Sequence, residues 1–280
     1  MKTREEIVSA LQIFIEAKGS QNNAARVMKG VSAATLSQMM NHNWDLIKED
    51  MWRRVESYVC NGVLADWREA ETKTYKQLTT LFETAQREKL VMCVTGEPGT
   101  GKTFTSKMYE MQNKNVYRIQ CSEFWNKSDF IEELLRISGL NSKAMGMKKT
   151  EKLAYALEGL KVKKDAILIF DEFDKLCDQC WYLFITLYNE VEDGCGIVTL
   201  STDYITKRLT QGVRKNKKGY KEIWSRLGNK CVELAGVSEA DVKKVCEANG
   251  VVDEQVQEDI AYESNGDLRR AKRRIFVNKR

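Results

Sequence analysis

The run Gly96-Glu97-Pro98-Gly99-Thr100-Gly101-Lys102-Thr103 fits the pattern G-x-x-x-x-G-K-[ST], after a short apolar stretch and before a helix-compatible one. Glycines in such a loop let backbone N–H groups turn inward around phosphates, and the N-terminus of the following helix adds a favourable dipole. Lys102 can reach the β- and γ-phosphates of a nucleotide, and Thr103 can offer its hydroxyl to Mg²⁺. Pro98, inside this loop, is the only proline in the chain. About seventy residues later the apolar run Ile167-Leu168-Ile169-Phe170 ends in Asp171-Glu172. A buried strand closed by two acids delivers both carboxylates to the sheet edge where α/β proteins hold ligands. Asp171 is suited to hold Mg²⁺ through water, and Glu172 to orient or deprotonate an attacking water. A phosphate cradle followed by two such acids points to ATP, with Mg²⁺ as cofactor, being bound and hydrolysed.

Chemistry of this kind needs a sheet beneath it. Apolar strands are predicted at Leu90–Thr95, Val116–Cys121, Ala166–Phe170, Gly196–Leu200 and Lys230–Leu234, separated by helix-length segments, the pattern of a parallel α/β sheet. The core is expected over residues 89–236. Residues 1–60 read as a helical unit: Ile7, Leu11, Phe14 and Ile15 share one helix face, Ser20 and Ser32 are placed to cap two short helices, and Gly30 makes the turn between them. That spacing is a helix-turn-helix pattern, with a plain helical bundle as the alternative. Residues 61–88 form an expected helical connector, and residues 237–280 a small helical lid.

An acidic pair closing one strand, a polar residue after the next, a Ser-Arg and a late G-x-x-R together resemble AAA+ ATPases. The resemblance implies that Thr202, in Leu200-Ser201-Thr202-Asp203, is a sensor of the γ-phosphate, with Ser201 as the alternative and a simple strand cap as the plainer reading. It implies that Arg226, in Trp224-Ser225-Arg226-Leu227, is the arginine finger completing a neighbouring subunit's site, with Arg208 and Arg214 as rivals. Arg269, in Gly266-Asp267-Leu268-Arg269, takes the place of the lid's sensor arginine, with Arg270 as its competitor. The order helix-turn-helix, connector, ATPase core and basic lid is similar to the AAA+ target-DNA activators of transposable phages and transposons, as are Glu71-Thr72-Lys73-Thr74 and Ala85-Gln86 ahead of the first strand. That likeness implies ATP-dependent assembly as a ring or filament on double-stranded DNA, little sequence preference, and a transposase as partner. A helicase loader or replication initiator on the same engine is the nearest alternative. A transcriptional regulator that senses ATP without turnover is a further one, against which Glu172 speaks.

The bulk composition agrees. The chain has 280 residues, 42% hydrophobic and 30% charged, enough for a core with one or two small units beside it. It has neither a run of about 20 apolar residues nor a signal-peptide pattern, so a cytoplasmic protein without membrane contact is expected. The eight cysteines are scattered through apolar stretches and read as reduced, mostly buried thiols; Cys177-x-x-Cys180 lacks a second pair at zinc spacing. The net charge of +5 is unevenly spread: residues 204–230 carry nine Lys/Arg against one Glu, and residues 231–265 two against nine acids. Polyanion binding depends on such distribution more than on the total. Lys207, Arg208, Lys215, Lys217 and Lys218 are therefore the candidate DNA contacts, with a solvated loop as the plainer reading. The helix-turn-helix contributes less, because its base-reading positions would be Ser32, Ala33 and Ala34, and alanine makes no bidentate base contact.

Overall fold

The apolar spacing at the start of the chain produces α1 (Arg4–Lys18), with Ile7 and Leu11 buried and Thr3 and Glu6 forming a capping box across its first turn. Ser20 caps α2 (Gln21–Val27) by accepting from the Asn23 amide at 3.1 Å, and Ser32 caps α3 (Ala33–Met40) by accepting from Thr35 at 3.0 Å. These caps satisfy amides that a helix start leaves without partners. With α4 (Glu49–Val59), they close a cluster of Ile7, Leu11, Leu36, Met39, Trp52 and Val55. The computed structural model describes residues 3–28, 30–59 and 67–278, the side chains of residues 141 and 142 excepted. Its contacts divide the chain into two units, Met1–Arg68 with Glu110–Lys114, and Glu69–Tyr109 with Asn115–Arg280. The expected boundary between residues 60 and 61 lies outside the described residues.

The second unit is built on five strands, β1 (Val91–Thr95), β2 (Val116–Gln120), β3 (Ala166–Asp171), β4 (Cys195–Ser201) and β5 (Cys231–Glu233). All pair in parallel, in the order β2-β3-β4-β1-β5, and each lies within one residue of its expected ends. β3 and β4 are buried along their whole length, as strands of a parallel sheet covered on both faces must be. One face carries α5 (Lys73–Glu88), whose Leu78, Phe82 and Ala85 pack on Ile167, Ile169, Val198 and Leu200, together with Tyr109 of α6 (Lys102–Gln112). Residues 73–88, expected within a connector, thus form part of the sheet's cover. The other face is covered by α7 (Lys127–Ser138), α8 (Lys149–Lys161), α9 (Asp178–Val191), α10 (Tyr204–Arg214) and α11 (Tyr220–Arg226) over Leu168, Phe170 and Ile197. Three helices follow β5: α12 (Glu239–Ala248), α13 (Glu254–Ser264) and α14 (Leu268–Asn278).

One expectation needs correction. Cys93 and Cys231 are joined by a disulfide, although all the cysteines were expected to be reduced. They are 138 residues apart in sequence, but β1 and β5 are neighbours and pair these two residues in register, with their Cα atoms 4.5 Å apart. Cys121, Cys177, Cys180, Cys195 and Cys246 are free thiols. Among the described residues, no group of three or more acidic, His or Cys side chains is arranged for a metal, and no helix is long and apolar enough to cross a membrane.

Candidate nucleotide-binding site

The strand order decides which residues meet. β4 lies between β1 and β3, so the end of β4 falls between the loop that follows β1 and the acids that end β3. The Gly96 amide donates to the Ser201 carbonyl at 3.2 Å, joining the loop to the end of β4. Gly99 has φ +85°, in the region that favours glycine, and a Cβ there would run into the Asp267 carboxylate. The Leu268 amide at the start of α14 donates to the Gly99 carbonyl at 3.0 Å, so α14 rests on the loop. Lys102 folds back over this loop and donates to the carbonyls of Gly96 at 2.5 Å and Glu97 at 2.9 Å. Burial lowers its pKa, opposed by the charges of Asp171 and Asp174. Thr100 is buried and donates its hydroxyl to Glu97 at 2.8 Å, and Thr103 is half-buried in the first turn of α6. A backbone cradle with no room for a side chain at Gly99, an ammonium folded over it and a hydroxyl at the helix start fit the phosphates of a nucleotide.

Both acids stand in a connected polar network. Asp171 is 1% exposed and pairs with the buried Arg118 at 2.9 Å. Arg118 also donates to Ser106 at 3.0 Å and to the Gln120 side-chain carbonyl. Gln120 in turn donates to one Glu172 oxygen at 2.8 Å, and Lys175 donates to the other at 2.8 Å. Burial alone would raise the Glu172 pKa; the hydrogen bonds from Lys175 and Gln120 outweigh it, and the carboxyl titrates below its ordinary value. Glu172 also has φ +60°, a left-handed conformation that a non-glycine residue adopts only when its surroundings hold it there. Arg118, Gln120, Asp174 and Lys175 were not foreseen from the sequence. The available signal was two polar residues, 118 and 120, spaced for one face of an otherwise apolar strand.

Thr202 donates its hydroxyl to Asp174 at 2.8 Å, beside the two acids, whereas the buried Ser201 hydroxyl has no hydrogen-bond partner among the described residues. The exposed Arg269 lies near enough to act electrostatically on both Lys102 and Glu172. Lys102, Thr103, Asp171, Glu172, Thr202 and Arg269 thus gather at one end of the sheet. Arg226 does not join them. It bonds Asn189 at 2.7 Å and Glu222 at 3.0 Å and lies over the Tyr188 ring at 5.3 Å. Arg208 is held inward, donating to the carbonyls of Asp174 at 2.8 Å and Leu176 at 2.7 Å, pairing with Asp178 at 2.7 Å, and stacking over Trp181 at 3.7 Å. Of the other DNA candidates, Lys207 pairs with Asp203 at 2.6 Å, Lys217 approaches Asp178 at 3.6 Å, and Lys215 and Lys218 are exposed.

Strand order and loop together give a mixed α/β core on a five-stranded parallel sheet, the P-loop fold of AAA-like ATPases. Residues 85–209 match the family described as "AAA domain". The chain is 23% identical over 249 residues to the ATP-dependent target DNA activator B of Escherichia phage D108 and equally to that of Escherichia phage Mu, covering 87% of this chain and 77% of each relative. Among solved structures it resembles the Orc1 protein of Aeropyrum pernix in complex with DNA, with a TM-score of 0.51 and 17% identity. That match covers 71% of this chain but only 56% of the Orc1 chain, and it bears on the fold alone.

Proposed function

We propose that this chain is an ATPase that binds ATP with Mg²⁺ at residues 96–103, assembles on double-stranded DNA in the ATP state, and activates a transposase at the captured target. The observation that carries the reading is the convergence of Lys102, Asp171, Glu172 and the charge of Arg269 at one sheet edge. Binding begins at the loop, where backbone amides and Lys102 neutralise phosphate charge. Mg²⁺, held by Thr103 and Asp171, would supply positive charge against the phosphate oxygens. Glu172 enters as a carboxylate, because Lys175 and Gln120 both favour its charged form, and can therefore take a proton from water or orient it. Thr202 and Arg269 read the γ-phosphate from β4 and from the lid. Arg226, tied outside its own site, acts on the nucleotide of a neighbouring copy and so links turnover to assembly.

The division of labour follows the expected domains: residues 1–60 as a helix-turn-helix unit for weak DNA or protein contact, 61–88 leading into the core at 89–236, and 237–280 as the lid. Lys207, Arg208, Lys215, Lys217 and Lys218 supply the DNA contacts. The two phage proteins, named as ATP-dependent target DNA activators, support the ATP and DNA parts. Imaging the protein with duplex DNA and a non-hydrolysable ATP analogue tests the whole. Nucleotide-dependent oligomers on DNA are expected, and Lys102→Ala should leave the DNA bare. Assemblies that form equally well without nucleotide, or with Lys102→Ala, would overturn the reading.

A further inference from the structure

An open cleft of about 310 Å³ lies between α10, α11 and the start of α9. Its volume is at the small end of ligand pockets, which begin near 300 Å³. Arg208, Lys215 and Lys217 line it, with Gln211 and the hydroxyl-bearing Tyr204 and Tyr220 between them. Asp178 is the single carboxylate in the lining, so three cations face one anion. That carboxylate is already shared: Arg208 and the Tyr220 hydroxyl each donate to Oδ1 at 2.7 Å, and Lys217 stands 3.6 Å from Oδ2. Tyr220 reaches this position because Gly212 leaves its ring room, as a Cβ at Gly212 would collide with it. Tyr204 is 56% exposed.

The cleft has a root in the nucleotide site. Arg208 spans from Asp178 to the carbonyls of Asp174 and Leu176, in the loop that begins at Glu172. The Asp174 carboxylate accepts from Thr202 at 2.8 Å. One guanidinium therefore touches both the floor of the cleft and the loop that bears the water-activating carboxylate, and a planar fork fixed at two carbonyls transmits displacement in a way a lysine ammonium does not. An anion that competes with Asp178 for Arg208 and Lys217 changes the partners of that fork.

We propose that this cleft is a phosphodiester-binding subsite for a nucleic-acid strand, and that Arg208 reports its occupancy to the loop carrying Glu172. A polymer fits better than a small anion, because further exposed cations, Arg214, Lys218 and Lys221, stand on or between the helices that line the cleft. Arginine and lysine supply the charge-assisted hydrogen bonds that phosphate oxygens take, and an exposed tyrosine ring gives a sugar or base a flat surface. The proposal rests on the DNA-binding reading above but names the site and its link to turnover.

The test uses the full chain, a duplex oligonucleotide titrated across a salt series, and phosphate release with and without DNA. Lys215→Ala combined with Lys217→Ala should flatten the slope of log affinity against log salt by about two units. The ratio of ATPase rates with and without DNA should fall to unity. Arg208→Lys keeps the charge and loses the fork, so its salt slope should match the parent while the DNA-dependent ratio again falls to unity. A fluorescent ATP analogue and a thermal melt on each variant report an intact P-loop and fold. If the double variant keeps the parent's slope, the cleft does not hold phosphodiester; if Arg208→Lys keeps the parent's stimulation, the link to Glu172 is wrong. Inorganic phosphate at constant ionic strength, with the ATP site saturated, separates polymer from free anion: phosphate without DNA that raised the parent's ATPase rate as DNA does, but not the double variant's, would overturn the nucleic-acid assignment. A parent protein without DNA affinity would overturn both readings, whereas a parent that binds while the double variant is unaltered overturns the cleft alone.

Discussion

The carboxyl edge of the sheet and the face formed by α10 and α11 are both rich in charge, but they hold it differently. At the sheet edge each functional group is tied to another: Asp171 to Arg118, Arg118 and Glu172 to Gln120, Glu172 to Lys175, and Thr202 to Asp174. On the α10–α11 face, Lys215 and Lys218 are exposed, whereas Arg208 is held inward by the Leu176 carbonyl. The buried pair at the centre of that network, Asp171 with Arg118, is costly to break, whereas exposed lysines bind a polyanion additively and tolerate loss one at a time. Removal of a residue should therefore cost much on the first surface and little on the second.

The largest effect is expected for Lys102→Ala, which removes the ammonium from the phosphate cradle; nucleotide-dependent assembly on DNA should disappear, measured by sedimentation with and without ATP. Arg226→Ala comes next. It should bind ATP yet turn over more slowly by about 10³–10⁵, the contribution of arginine fingers in related switches. Mixed on DNA with Glu172→Gln, it should regain activity, because some interfaces then pair a normal Glu172 with a neighbour's intact Arg226. A co-assembled mixture as inactive as its components would show that Arg226 is not the finger, and Arg208 and Arg214 would be tested in its place.

Arg118→Met leaves the Asp171 carboxylate buried without its cation and should lower stability by about 3–5 kcal/mol, read from denaturant unfolding. A loss within about 0.5 kcal/mol, typical of a surface change, would place this pair with the exposed charges instead. Gln120→Leu should act more gently. Loss of a donor to an ionised Glu172 raises that carboxyl's pKa, so the acid limb of the rate profile should move to higher pH while the alkaline limb stays in place. An acid limb that stayed put would mean that Gln120 does not support the charged form. Smallest of all, Lys218→Ala should change the salt slope by about one unit and stability by no more than about 0.5 kcal/mol.

Much of the sheet edge was legible in the sequence, because its chemistry restricts residue type locally. The loop at 96–103 needs glycines at fixed spacing, and two acids ending a wholly apolar strand have few other uses. Ser20 and Ser32 were equally readable as caps, since a cap acts within three residues. What escaped depends on strand neighbours. Arg118 and Gln120 gain meaning only when β2 pairs with β3, in a register that sets Gln120 beside Asp171. The Cys93–Cys231 bond requires β5 beside β1. Arg208 read as a surface cation within a basic run, and only the packing of α10 against Trp181 and the Leu176 carbonyl turns it inward.

Phosphate release by the parent and by Glu172→Gln, each with and without duplex DNA, tests the central claim most directly. Both proteins should bind ATP; the parent should turn it over faster on DNA, and the variant should be slower by about 10²–10⁴, since an amide cannot take the proton a carboxylate takes. Release by Glu172→Gln at the parent's rate would contradict the assignment of Glu172 and, with it, the account of this sheet edge as an ATP-hydrolysing site.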